Sequence, residues 1–113
     1  MKNAILLIIF AVAFGTAIGQ KAENITIKFH VDGICGMCEE RIENALDTKG
    51  VKYADWDRQT HICEVIYRPD KISEADIHKL LNEAGHDTEL SKASEEAYSG
   101  IHSCCRYREE SDH

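Results

Sequence analysis

The stretch Asn24–Val51, NITIKFHVDGICGMCEERIENALDTKGV, contains the two patterns that decide the fold. Its first part alternates apolar and polar residues, with Ile25, Ile27 and Phe29 on one side, which is the period of a half-buried β-strand. From Gly36 onward the apolar residues follow a helical period instead, so a helix is predicted directly after the strand. Two cysteines three residues apart mark the change from one period to the other.

The rest of the chain also contains predicted strands and helices. The sequence predicts strands over Val51–Trp56 and His61–Tyr67, a helix over Ser73–Ala84, a short last strand over His86–Leu90 and an extra short helix over Ser91–Tyr98. The order β-α-β-β-α-β is the ferredoxin-like split βαβ plan, in which two helices cover one face of an antiparallel sheet. The predicted fold class is therefore α+β, with a short C-terminal extension.

The N-terminus has the pattern of a secretory signal peptide. A cationic start containing Lys2 precedes an uncharged apolar run, Ala4–Ile18, and small residues occupy positions 17 and 19. The run is shorter than the roughly 18 apolar residues that a membrane-spanning helix needs. We therefore expect residues 1–19 to be removed, the mature chain to lie in the periplasm, and no stable membrane insertion afterwards.

Charge and motif content exclude several classes of function. Removing residues 1–19 takes away one lysine and no acid, so the formal charge changes from −7 to −8. An acidic chain is a poor partner for nucleic acid. The sequence has no Gly-rich phosphate loop, nucleophile elbow or HExxH motif, so we expect a protein that is not an enzyme. The predicted organisation is one domain over residues 20–90 and an extension over 91–113 that carries a Cys-Cys pair.

The cysteine pattern indicates metal chemistry. Cys35 and Cys38 lie where a helix is predicted to begin, and the free N–H groups and positive dipole end of a helix favour thiolate over thiol. Thiolates prefer soft ions such as Cu(I), Zn(II) or Hg(II). Two ligands leave an ion open to an incoming sulfur, whereas structural zinc needs four ligands.

Several short motifs resemble those of one known family. They are Gly33-Ile34-Cys35-Gly36-Met37-Cys38 with Ile42, Gly50-Val51 with Ala54, Tyr67-Arg68-Pro69, and Ala84-Gly85-His86-Asp87. From Ile25 to about Leu90 the chain resembles the heavy-metal-associated domain family, which includes copper chaperones, the periplasmic mercury-binding protein and N-terminal modules of metal-exporting ATPases. Compared with the family's G-M-x-C-x-x-C motif, one residue is missing between Gly33 and Cys35, so the family's buried methionine has no counterpart except Ile34.

The resemblance implies a carrier of one soft metal ion. Cys35 and Cys38 would be its ligands, with Cu(I) favoured and Hg(II) or Zn(II) as alternatives. The role implied is metal trafficking or detoxification, in which the ion passes by ligand exchange to a metal-transporting membrane protein or efflux component. We expect a monomer, with a metal-linked or disulfide-linked dimer as the alternative.

Four further residues are candidate additions to the site. Met37 is either a weak third ligand or a filler of space, and His86 is either a residue that tunes the site, with occasional ligation, or a solvated histidine. Cys104 and Cys105 have three open readings: they fold back onto the ion, form a separate capture site, or are oxidised. By likeness, a tail with this pair also occurs in a subgroup of small exported members of the family.

The remaining cysteine and three histidines are assigned no part in the site. Cys63 alternates with inward residues of its strand and is predicted to be a buried small hydrophobe. His30 and His61 are predicted on the wet faces of strands, and His78 on the outer face of the second helix.

The main alternative function is a thiol–disulfide redox protein that uses Cys35 and Cys38, since C-x-x-C at a helix start is also typical of thioredoxin-like proteins. The hairpin directly after the first helix and the position of Pro69 before a helix argue against it. A second alternative is an interaction module whose cysteines are bonded to one another.

Overall fold

The computed structural model describes residues 23–101 and 103–110. The predicted signal peptide, residues 1–19, lies outside the described residues. Within these two ranges, no helix is both long and apolar enough to cross a lipid bilayer. The elements in chain order are β1 (Ile25–His30), α1 (Gly36–Ala45), β2 (Val51–Trp56), β3 (Ile62–Tyr67), α2 (Glu74–Glu83), α3 (Glu95–Ser99), a single 3₁₀ turn (Ser103–Cys105) and α4 (Tyr107–Glu110).

The three strands form one antiparallel sheet in the order β1-β3-β2. Register places Phe29 of β1 and Trp56 of β2 on either side of Cys63 in β3. All three side chains are buried, so this row forms the part of the core that the sheet contributes. The alternation in the sequence predicted these inward positions because successive side chains of a strand point to opposite faces.

Both longer helices pack on the same side of this sheet, as predicted. Cys38 and Ile42 of α1 join Ile77 and Leu81 of α2 in one apolar cluster with the row of strand residues. The N-terminus of α2 is fixed by Ser73, whose side chain accepts a hydrogen bond in a reciprocal capping box. The α+β, ferredoxin-like fold class is confirmed.

The predicted last strand, His86–Leu90, is reduced to a single bridge between Val31 and Thr88. Two backbone hydrogen bonds flank this bridge, from the N–H of Asp32 to the carbonyl of Asp87 and from the N–H of Glu89 to the carbonyl of His30, but neighbouring N–H groups have other partners. The N–H of Thr88 donates to the carbonyl of Ser91 at 2.8 Å, and the N–H of Asp87 donates to the hydroxyl of Tyr107 at 2.8 Å. The C-terminal extension therefore replaces part of the fourth strand's pairing.

The prediction that His78 lies on the outer face of α2 is wrong. Its side chain is buried, its ring lies 4.3 Å from that of Phe29, and its Nδ1 is 2.6 Å from the hydroxyl of Thr88. Burial lowers the pKa of this imidazole, which is therefore held in its neutral form. A polar residue at a core-facing helical position misled the sequence analysis.

The extension packs onto the domain, although its helix is shorter than predicted. α3 begins at Glu95 rather than Ser91, because the hydroxyl of Ser94 caps it by accepting from the N–H of Ala97 at 3.1 Å. Tyr98 and Ile101 are buried and belong to the main apolar cluster. The segment after the domain is thus part of the core.

Candidate metal centre

The loop between β1 and α1 is held from below by Trp56. Its indole Nε1 donates to the carbonyl of Val31 at 3.0 Å, and its ring lies directly beneath Gly33. A Cβ on Gly33 would lie 2.8 Å from that ring, so only glycine fits there. Ile34 is half-buried against the core, in the part of the loop where the family's methionine is missing.

His86 holds the same loop from the other side. Its Nδ1 lies 2.8 Å from the carbonyl of Asp32, which can only accept, so we assign the proton to Nδ1. The ring is fully buried, and burial lowers the pKa of this histidine despite the hydrogen bond to Asp32. His86 is therefore neither solvated nor a member of the sulfur group described below, and its observed contact supports the loop.

The two cysteines of the motif occupy the start of α1. Cys35 occupies the N-cap position in an extended conformation and is half-buried, while Cys38 is fully buried. Burial acts to raise the pKa of Cys35, but hydrogen bonds with the backbone N–H groups of Cys38 and Met37, together with those from the thiols of Cys104 and Cys105, outweigh it, and the pKa falls from 9.0 to about 7. A substantial fraction of Cys35 is therefore thiolate at neutral pH, as the helix start predicted.

The C-terminal pair folds back onto these cysteines. The Sγ atoms of Cys35, Cys38 and Cys105 all lie within 4.8 Å of one another, and we call this set the sulfur group. Cys105 is fully buried, and burial followed by the neighbouring Cys38 raises the pKa of its thiol. Of the three readings of the tail, the geometry corresponds to the first.

Cys104 lies at the outer rim of the sulfur group. It is exposed, and its Sγ is 3.6 Å from that of Cys35 and 3.4 Å from the Sδ of Met37, which is also exposed. The contact with Cys35 raises the pKa of Cys104. The structure thus brings together five of the six predicted site residues and leaves His86 as their support.

Cys63 stands apart from the sulfur group, as predicted. It is fully buried in the middle strand, and burial, assisted by Glu43 and Asp55, raises its pKa to about 12. All five cysteines of the chain are described, and all five are free thiols.

The sequence analysis missed the residues that fasten the extension beside the site. The hydroxyl of Tyr107 donates to the carbonyl of Gly85 at 2.7 Å, besides accepting from the N–H of Asp87. The guanidinium of Arg108 binds both carboxylate oxygens of Asp87, at 2.7 and 3.1 Å. This pairing lowers the pKa of Asp87 although burial opposes it. These residues are far apart in the sequence, and no regular spacing predicts that they are in contact. The only sequence feature that pointed to this region was the motif that contains Asp87.

The donor set suits a soft ion. Sulfur is the only type of ligand atom in the sulfur group, and thiolate favours Cu(I), Zn(II) and similar ions over hard cations, which prefer oxygen. A second set consists of three carboxylates, from the half-buried Glu39 and Glu43 and the exposed Asp55, without a sulfur or histidine.

Comparison with known proteins agrees with this chemistry. Residues 28–87, just over half of the 113-residue chain, match the family model described as the heavy-metal-associated domain. These residues lie inside the predicted domain, 20–90. A comparison with curated protein sequences gave no match.

Solved structures with the same fold include metal carriers and transporter modules. The CopZ metallochaperone is 26% identical, with a TM-score of 0.55, and the alignment covers 57% of this chain and 98% of that one. The N-terminal domain of a potential copper-translocating P-type ATPase from Bacillus subtilis, in its Cu(I)-loaded state, is 25% identical, with a TM-score of 0.56, over 58% and 85%. Oxidized MerP from Ralstonia metallidurans CH34, at 23% identity and a TM-score of 0.56 over 59% and 96%, bears on the fold alone.

Proposed function

Since this chain belongs to the heavy-metal-associated domain family, we propose that it binds one soft metal ion through the sulfurs of Cys35 and Cys38 and passes it on by ligand exchange. Cu(I) is the favoured cargo, with Hg(II) and Zn(II) as alternatives. The protein acts without catalysing a reaction, in the periplasm, after removal of residues 1–19.

The observation that carries the proposal is the pairing of one partly exposed and one buried sulfur at the start of α1. Because the pKa of Cys35 is about 7, its thiolate is available to a metal ion at neutral pH. Cys38, buried directly behind it, supplies a second sulfur that water does not reach. Binding at this pair displaces protons, so affinity falls as the pH is lowered.

Handover follows from the partial exposure of Cys35. A partner's sulfur can approach the ion from the side of Cys35 and join it before Cys38 lets go. CopZ and the copper-translocating ATPase domain, both similar to this chain, are described by their names as carrier and transporter. By analogy, the proposed partner is a metal-transporting membrane protein or efflux component.

The proposal is tested by native mass spectrometry of the reduced protein, residues 20–113, with Cu(I), Hg(II) and Zn(II) in turn. Cys38→Ser is compared with Cys63→Ser, because both cysteines are fully buried free thiols and only Cys38 belongs to the sulfur group. We expect one ion per chain in the wild type and in Cys63→Ser, and loss of stoichiometric binding in Cys38→Ser. Full binding by Cys38→Ser contradicts the assignment.

A thiol–disulfide redox function is the second candidate, because a thiol whose pKa lies near ambient pH is also a good attacking nucleophile. It predicts turnover of a disulfide substrate and a reduction potential in the range of known oxidants. A protein that retains the metal ion and does not turn over a disulfide substrate is a metal carrier rather than a redox protein.

A further inference from the structure

We infer that the C-terminal extension supplies a third thiolate, from Cys105, so that the cargo ion is held by three sulfurs rather than two. The inference rests on the function proposed above and concerns how the same site is completed. On binding, the thiol of Cys105 gives its proton to solvent and its sulfur bonds to the ion.

The spacing of the sulfur group fits a three-coordinate ion. In a planar site with metal–sulfur bonds of about 2.3 Å, as for zinc, neighbouring sulfurs lie about 4.0 Å apart. The Sγ atoms of Cys35 and Cys105 are 3.8 Å apart, and all three sulfurs, including that of Cys38, lie within 4.8 Å of one another. One ion fits among them with small adjustments of side chains.

The choice between the two adjacent cysteines follows from burial. Cys105 is fully buried and lies within reach of both motif sulfurs, whereas Cys104 is exposed and lies outside the sulfur group. Both belong to the 3₁₀ turn Ser103–Cys105, so their side chains leave the backbone in different directions. Cys105 completes the coordination, and Cys104 stays at the rim beside Met37.

The third sulfur is held in place by the packing of the extension. Tyr107, two residues after Cys105, makes two buried hydrogen bonds to the backbone that follows α2. Arg108 pairs with Asp87 through both carboxylate oxygens and also donates to the carbonyl of Ala93 at 2.7 Å. Because these contacts order the extension before an ion arrives, the third ligand is added with little further loss of entropy.

A third sulfur changes what the site does. The two-thiolate site exchanges its ion easily, while three sulfurs enclose the ion on the side of the extension and leave Cys35 as the one ligand that is partly exposed. Release then requires the bond to Cys105 to break, and any loosening of the extension speeds it. The protein is thereby suited to retaining its ion between encounters.

The test counts the sulfur ligands of one equivalent of Cu(I) on the reduced chain by X-ray absorption spectroscopy. We expect three sulfurs in the wild type, two in Cys105→Ser and three in Cys104→Ser, which changes the adjacent cysteine of the same turn. Two sulfurs in the wild type, unchanged in Cys105→Ser, overturn the inference and leave the proposed function standing. A first shell without sulfur overturns the proposed function itself.

A second variant keeps all five cysteines, in case Cys105→Ser does not fold. Arg108→Met removes the charge that pairs with Asp87, and Lys92→Met removes an exposed charge of the same segment as a control. We expect a competing chelator to remove Cu(I) about tenfold faster, or more, from Arg108→Met than from Lys92→Met, because a partly buried ion pair is lost. Equal rates contradict a role for the extension in holding the ion.

Discussion

Replacing Tyr107 by phenylalanine tests how firmly the extension is fastened to the domain. The change removes one oxygen that accepts from the N–H of Asp87 at 2.8 Å and donates to the carbonyl of Gly85 at 2.7 Å. A buried backbone group left without a partner costs about 1–3 kcal/mol. Because the extension can shift and admit water, we expect a total of about 2 kcal/mol, which is a factor of about 30 in an equilibrium constant.

The loss of these hydrogen bonds is measured directly by amide hydrogen exchange of the reduced, metal-free protein. Protection of the Asp87 amide should fall by about 30-fold in Tyr107→Phe, and the free energy of unfolding in urea, followed by the fluorescence of Trp56, should fall by up to about 2 kcal/mol. Tyr53→Phe is the matched control, since Tyr53 is 47% exposed on β2, and it should change stability by less than about 0.5 kcal/mol. A change in Asp87 protection below about threefold, or an equal loss in Tyr53→Phe, refutes the reasoning.

Three further predictions concern the fold around the site. Gly85→Ala should destabilise the protein by at least about 1 kcal/mol in urea unfolding, because φ is +100° and the new Cβ would lie 2.5 Å from a side-chain carbon of Ile101. Gly100→Ala should be close to neutral, because the atom nearest to its new Cβ is a backbone oxygen at 3.5 Å. Since burial lowers the pKa of His78 in the folded state, the unfolded chain takes up a proton first, so stability should fall as the pH drops below about 6.5. That fall, at most about 1.4 kcal/mol per pH unit for one group, should be smaller in His78→Gln, and parallel curves argue against it. Trp56→Phe should cost about 1–3 kcal/mol in thermal or urea unfolding followed by circular dichroism, because the buried carbonyl of Val31 loses its donor; no loss of stability means that another donor replaces the indole.

The order of strands and helices was predictable because each element has its own local spacing of apolar residues. The alternation of Ile25, Ile27 and Phe29 fixes a strand whatever follows, and the capping box at Ser73 fixes the start of a helix. The prediction of a full last strand failed for a non-local reason, since the N–H of Asp87 donates to the hydroxyl of Tyr107. Periodicity does not reveal a competitor for hydrogen bonds that lies twenty residues away.

The candidate site likewise contains residues that the sequence predicted and residues that only the structure revealed. Cys35 and Cys38 were singled out by their spacing at a helix start, which brings both sulfurs to one end, and by the resemblance to the family motif. Cys105 lies in a segment that is fastened to the domain by the pairing of Arg108 with Asp87. These two residues are 21 positions apart, and no sequence pattern predicts that they pair. His86 was recognised as close to the site, but its burial and its bond to the loop required the structure.

The central claim, that sulfur anions at the start of α1 trap a soft ion, is tested most directly by mapping thiol reactivity. The fully reduced protein is given one equivalent of Cu(I), challenged with a competing chelator, alkylated and analysed by mass spectrometry. The account predicts one retained copper per chain, with Cys35 and Cys38 blocked from alkylation by the ion and Cys35 reactive again once it is removed. Copper retained while Cys35 is alkylated as fast as in the metal-free protein, or no copper retained at all, contradicts it.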